Sequence, residues 1–174
     1  MQIIKIGGSV ITDKSKKNSF KKDLMDKISS EVSKYNKDFI VVHGAGAYGH
    51  ILAEKYDLNN GFKNSDQLKG FSETLSSVQK LNTLVLESLQ NKDVNAVSIP
   101  PHSIMKLKNH NSFKFDFEIF DSFLDKGFKP VTYGDVVLDS ELVFSICSGD
   151  LLILLLADYY KPDSVIFLFD EDGL

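Results

Sequence analysis

Two short apolar runs, each closed by glycine, constrain this chain most. Residues 2–6 run into Gly7-Gly8, and residues 39–42 run into His43-Gly44. Both read as buried strands entering tight turns. Further buried strands are expected at residues 94–99, stopped by Pro100-Pro101, at 129–132 and at 164–169. A strand buried on both faces needs helices above and below it, and the chain supplies them. Residues 21–34 place Leu24, Ile28 and Val32 on one helical face. Phe71, Leu75, Val78, Val85 and Leu89 recur at helical steps across residues 66–89, and only Asn82 breaks the stripe. Shorter helices are expected at 51–55, 118–126 (ended by Gly127) and 151–160, with a hairpin at 136–146 around Asp139-Ser140-Glu141. Alternating strands and helices predict an α/β sandwich with a mostly parallel sheet.

Composition excludes several classes. Hydrophobic residues make up 43 % and charged residues 25 %, which suits a folded globular domain. The net charge of −4 argues against a nucleic-acid partner. The longest apolar stretch, residues 151–157, is too short for a membrane span, and the N-terminus reads as a strand rather than a signal peptide. The single cysteine, Cys147, reads as a small buried side chain and fits a cytoplasmic protein. No metal-ligand spacing is present, because His102 and His110 stand apart from any cysteine pair.

The chemistry-bearing residues gather at strand ends. Lys5-Ile6-Gly7-Gly8-Ser9 can bring backbone N–H groups and one lysine charge to an anion. His43-Gly44-Ala45-Gly46-Ala47-Tyr48-Gly49-His50 follows the second strand and precedes a helix, which is a phosphate-binding arrangement. His50 closes that loop and can donate to a phosphate oxygen, whereas His43 reads as filling space. Gly134-Asp135 and Gly149-Asp150 pair a glycine with an acid, as turn residues or, for Asp150, at a helix start.

KIGGSVITDK, HGAGAYGH, YGDVVLD and FSICSGD, in that order and spacing, resemble isopentenyl phosphate kinases of the amino acid kinase superfamily. GFSETLSSVQKLNTLVLESL resembles their long helix after the glycine loop. The resemblance implies the amino acid kinase fold, a three-layer αβα sandwich with a mostly parallel central sheet. It implies one domain over residues 1–174, with the acceptor-binding lobe present and most of the nucleotide-binding lobe missing. It implies ATP-dependent phosphorylation of isopentenyl phosphate with Mg²⁺, in a cytoplasmic homodimer without membrane or nucleic-acid partners.

Residue roles carry over with it. Lys5 and Lys14 would act on the transferring phosphoryl group. Gly7, Gly8, Ser9, Gly46 and Asp150 would lie along the nucleotide phosphates. His50 would hold the acceptor phosphate, helped by Gly44, Ala45 and Gly49, and Gly134 would lie beside the substrate. Phe71 and Leu75 are either walls for the tail or ordinary core. Leu151 departs from the family pattern, standing where a polar residue is expected. Two other readings are open: a kinase of another small phosphate or phosphonate such as fosfomycin, and an inactive fragment that only binds acceptor.

Overall fold

The computed structural model describes residues 1–13, 15–16 and 19–170. The chain opens with β1 (Gln2–Ile6), a single turn α1 (Gly8–Ile11), α2 (Lys22–Val32), β2 (Phe39–His43) and α3 (Gly46–Lys55). The long helix α4 (Asp66–Gln90) follows, then β3 (Ala96–Ser98), α5 (Pro101–Ile104), β4 (Met105–Lys108) and β5 (Asn111–Phe115). The rest comprises α6 (Glu118–Leu124), β6 (Lys129–Tyr133), β7 (Asp135–Asp139), β8 (Val143–Cys147), α7 (Gly149–Tyr160) and β9 (Ser164–Leu168).

Five of these strands form one sheet in the order β3-β6-β2-β1-β9, with every pairing parallel. Register assigns the faces. Ile4 lies beside Val41, and these two pack under α2 and α4 with Ile6, Val85 and Leu89. Ile3 lies beside Ile40 and packs on the opposite face with Val42, Leu152 and Leu156 of α7. Ile3, Ile6, Ile40, Val41 and Val42 have no exposed surface, and each contributes about 1.5–3 kcal/mol through burial. The three-layer αβα arrangement expected from the sequence is therefore present, with the sheet between two helical layers.

A second sheet, β5-β4-β7-β8, was only half legible. The hairpin of β7 and β8 was expected, whereas the antiparallel pair β4–β5 was not. Its short MKLK strand does alternate, burying Met105 and Leu107. The turn that follows uses Asn109 and His110 at φ 46° and 65° in place of glycine, so the usual punctuation is missing. Asp139 anchors this turn. Its buried carboxylate accepts hydrogen bonds from the N–H groups of Asn109 (3.0 Å), His110 (3.0 Å), Glu141 (2.9 Å) and Leu142 (3.0 Å), and from the Ser145 hydroxyl (3.0 Å).

Burial alone would raise the Asp139 pKa, but the backbone donors outweigh it and hold the carboxyl well below its usual range. A depressed carboxylate stabilises the fold above its unfolded value near 3.8, and that contribution is lost as pH falls further. Asp139→Asn, which turns an amide donor toward N–H groups, is expected to cost about 1–3 kcal/mol at neutral pH. Urea unfolding at pH 7 and pH 3 checks this: the gap between variant and parent should narrow on the acid side, and a constant gap would contradict it.

Candidate active site

Open parallel sheets bind ligands beyond the carboxyl ends of their strands. Four neighbouring strands deliver residues to one such edge here. Lys5, Gly7, Gly8 and Ser9 come from the end of β1, Gly44 and Ala45 from the end of β2, Gly134 from the end of β6, and Phe169 from the end of β9. The hairpin adds Val136, Ile146 and Cys147, and the start of α7 adds Ser148, Gly149 and Asp150. Together with residues of α3 and α4 they enclose a cavity of about 300 Å³.

The glycines are required first by each other. A Cβ on Gly8 would stand 2.5 Å from the Gly46 nitrogen, and one on Gly44 would stand 2.6 Å from the Gly8 nitrogen. The two glycine segments thus touch backbone to backbone, and any side chain would force them apart. Thr12 fastens the contact. Its hydroxyl donates to the Gly8 carbonyl (2.7 Å) and accepts from the Ala47 N–H (3.0 Å). This support draws the helix back to Gly46, five residues before the expected start at residue 51. Glycine's poor helix propensity argued for a loop there, and tertiary packing overrides it.

One end of the cavity suits an anion. Lys5 runs its stem along the α7 face of the sheet and its ammonium pairs with Asp150. Only 11 % of the Lys5 side chain is exposed, against 75 % for Asp150, so the lysine is fixed in place from the protein side. The Ser148 hydroxyl caps α7 by accepting from the Leu151 N–H (3.1 Å), which leaves the Gly149 and Asp150 N–H groups at the cavity. The N–H groups of Gly8, Ser9 and Ala45 likewise have no acceptor among the described residues. Those of Gly44 and Gly49 are spent on the carbonyls of Ile6 (2.9 Å) and Ala45 (3.1 Å), so they are not available to a ligand. His50 is exposed on α3 and faces the cavity, and its ring makes no hydrogen bond among the described residues.

The other end is apolar, walled by Ala53, Val78, Val136 and Ile146. Phe71 and Leu75 are not among its walls. They pack instead with Leu58, Val136 and Phe144, with the Phe71 and Phe144 rings 5.4 Å apart.

Beneath the cavity lies a buried polar layer. His43 has no exposed surface and stacks on Tyr133 at 5.3 Å. Burial pushes its pKa down. Nε2 lies 3.2 Å from Asn82 Oδ1, with the Asn82 NH₂ donating to the Ser98 hydroxyl (2.8 Å); a neutral ring that donates from Nδ1 to the Gly44 carbonyl (3.0 Å) needs a donor at Nε2, so this amide is read in the flipped orientation. Asn82 breaks the apolar stripe of α4 because it serves this histidine. Burial pushes the Cys147 thiol far up, with the Asp135 charge adding to it, so the expected inert role holds. Asp135 is no mere turn residue: its buried carboxylate meets the Val136 N–H at 2.9 Å and His102 Nδ1 at 2.7 Å.

Of the residues singled out in the sequence, Lys5, Gly7, Gly8, Ser9, Gly44, Ala45, Gly49, His50, Gly134 and Asp150 all line the cavity. Gly46 does not: it is buried against Thr12 and Gly8, at φ +50°. Lys14 lies outside the described residues. The apolar walls Ala53, Val78, Val136 and Ile146 went unrecognised. Each is an ordinary apolar position in its own element, and only the α4 stripe through Val78 carried a signal.

Residues 1–174 match the model of the amino acid kinase family. The isopentenyl phosphate kinase of Methanothermobacter thermautotrophicus is 37 % identical, with 100 % of this chain and 68 % of that protein covered. The isopentenyl phosphate kinase of Thermoplasma acidophilum is 35 % identical, with 100 % and 69 % covered. A solved isopentenyl phosphate kinase superposes with a TM-score of 0.95 at 36 % identity, covering 100 % of this chain and 73 % of that one. A T. acidophilum isopentenyl phosphate kinase product complex superposes at 0.91 and 34 % identity, covering 100 % and 72 %. With these similarities along its whole length, the chain belongs to the amino acid kinase family and, within it, to the isopentenyl phosphate kinases.

Proposed function

We propose that this protein transfers the γ-phosphoryl group of ATP to isopentenyl phosphate, giving isopentenyl diphosphate and ADP in isoprenoid biosynthesis. The observation that carries the reading is the two-ended cavity, with a cradle of lysine, amides and His50 at one end and an apolar slot at the other. A phosphate monoester with a short branched hydrocarbon tail matches both ends.

The nucleophile is an oxygen of a phosphate already ionised near neutrality, so no general base is needed. The work is to hold two anionic groups in line and offset their charge. In this reading His50 and the Ala45 N–H hold the acceptor phosphate. Lys5, fixed by Asp150, meets the charge that develops on the transferring group. The Gly8 and Ser9 N–H groups face the nucleotide phosphates. Lys14 would add charge at the same place. Residues 1–174 would form the acceptor lobe and the phosphate end of the nucleotide site.

No group of three or more His, Cys, Asp or Glu side chains gathers among the described residues. Mg²⁺ needs none, since it is usually held by substrate phosphates and one or two carboxylates. The exposed Asp150 carboxylate fits that demand, and the ion would supply charge neutralisation on the phosphates. Homodimer assembly and a cytoplasmic setting belong to the same reading on family grounds, and light scattering of the purified protein reads the first. No helix of the described residues is long and apolar enough to cross a membrane.

The test is ADP release with isopentenyl phosphate and with fosfomycin as acceptors. Turnover with isopentenyl phosphate is expected, and turnover with fosfomycin alone would overturn the reading. The slot gives a second check. Ile146→Ala removes one wall and is expected to weaken the five-carbon acceptor by about tenfold while admitting a tail one isoprene unit longer. Unchanged KM values for both acceptors would show that Ile146 does not bound the tail.

A further inference from the structure

Asp135 puts a buried carboxylate in the wall of a cavity that is otherwise built for anions. Its side chain has no exposed surface, and Gly134, Asp135 and Val136 all line the cavity. Such a charge repels an anionic ligand unless it is held and screened from the protein side. Both oxygens are in fact engaged. Oδ1 accepts from the Val136 N–H at 2.9 Å. Oδ2 accepts from His102 twice, from ring Nδ1 at 2.7 Å and from the backbone N–H at 3.3 Å. His102 stands at the start of α5, 33 residues earlier in the chain, with 21 % of its side chain exposed. Asp135 pairs with Cys147 across the hairpin, and both residues line the cavity.

We propose that His102 is a positioning residue of the acceptor site: by binding Asp135 from behind, it makes that carboxylate tolerable beside the acceptor phosphate. The same hydrogen bonds fix the segment from Gly134 to Val136. That segment packs closely on the glycine loop, because a Cβ on Gly134 would lie 3.2 Å from the Ala45 nitrogen. The proposal rests on the acceptor reading given above, and it adds a residue that touches neither substrate.

The test is calorimetric binding to the intact protein of isopentenyl phosphate, inorganic phosphate and a non-hydrolysable ATP analogue, with circular dichroism to verify folding. His102→Ala is expected to weaken isopentenyl phosphate by about tenfold and to leave the nucleotide within about twofold. His102→Asn keeps a donor near the Nδ1 position and is expected to recover most of the affinity. The decisive variant is His102→Ala combined with Asp135→Asn. Removing the stranded charge should restore acceptor binding, which a purely structural role for His102 could not produce. A double variant as weak as His102→Ala, or a parallel loss of acceptor and nucleotide, overturns the proposal. The two readings fail separately. The rescue pattern seen with inorganic phosphate while isopentenyl phosphate does not bind keeps the pair and removes the acceptor. Equal isopentenyl phosphate binding by every variant keeps the acceptor and removes the pair.

Discussion

Lys5→Met is expected to lower turnover of isopentenyl phosphate by about 10²–10³-fold while changing acceptor affinity less than about threefold. The asymmetry comes from where the ammonium sits. Lys5 reaches the cavity from the strand beneath it, its stem is buried, and Asp150 fixes its head. A preorganised cation of this kind acts on charge that develops in the transition state more than on the bound ground state. Methionine keeps the length and apolar stem, so the sheet around β1 should survive. Asp150→Asn leaves the lysine in place but free to move, and a smaller loss is expected from it. Single-turnover quench measurements separate chemistry from product release. A Lys5→Met protein with normal single-turnover rate would remove Lys5 from the reaction.

The sequence announces Lys5 because its signal is local: one lysine in an apolar strand directly before paired glycines. The same holds for His50, which closes a glycine-rich segment. What such local reading misassigns is the reason for the glycines. Gly8, Gly44 and Gly46 look like a phosphate loop, yet their Cβ positions are blocked first by one another and by Thr12. That contact joins the ends of two strands about 36 residues apart and leaves no local trace. Gly46 reads in the sequence as part of the nucleotide cradle, whereas the structure buries it against Thr12 and Gly8, away from the cavity lining. The availability of each amide is equally invisible, because it depends on which carbonyl a neighbouring strand presents.

The long-range polar pairs were hidden for a related reason. His102 and Asp135 lie 33 residues apart, and His43 and Asn82 lie 39 apart. Each member alone looks like a turn, a space-filler or a break in a stripe. Burial gives them meaning, since an unpartnered polar group inside a protein costs several times what a partnered one does. The five parallel strands were legible because apolar runs flanked by helices admit few arrangements. The β4–β5 hairpin was not, because its turn places Asn109 and His110 where glycine would have marked it.

His50 offers the cleanest separation of binding from folding. It is exposed and its ring makes no hydrogen bond among the described residues, so removing that ring takes no internal support away. Surface substitutions of that kind usually shift stability by less than about 0.5 kcal/mol. The ring nonetheless lines the cavity, one residue after Gly49 and three before Ala53 in the chain. A hydrogen bond from it to a phosphate oxygen is charge-assisted and contributes about 1.5–3 kcal/mol. His50→Ala should therefore weaken isopentenyl phosphate by roughly 10- to 150-fold, with an unchanged unfolding midpoint and with nucleotide affinity within about twofold. His50→Gln, which retains a donor on a similar reach, should recover part of the loss. Calorimetry on the three proteins reads all of this at once. An equal loss for both ligands would place His50 in the general electrostatics of the cavity, and no loss at all would move the acceptor phosphate toward Lys5 and the start of α7.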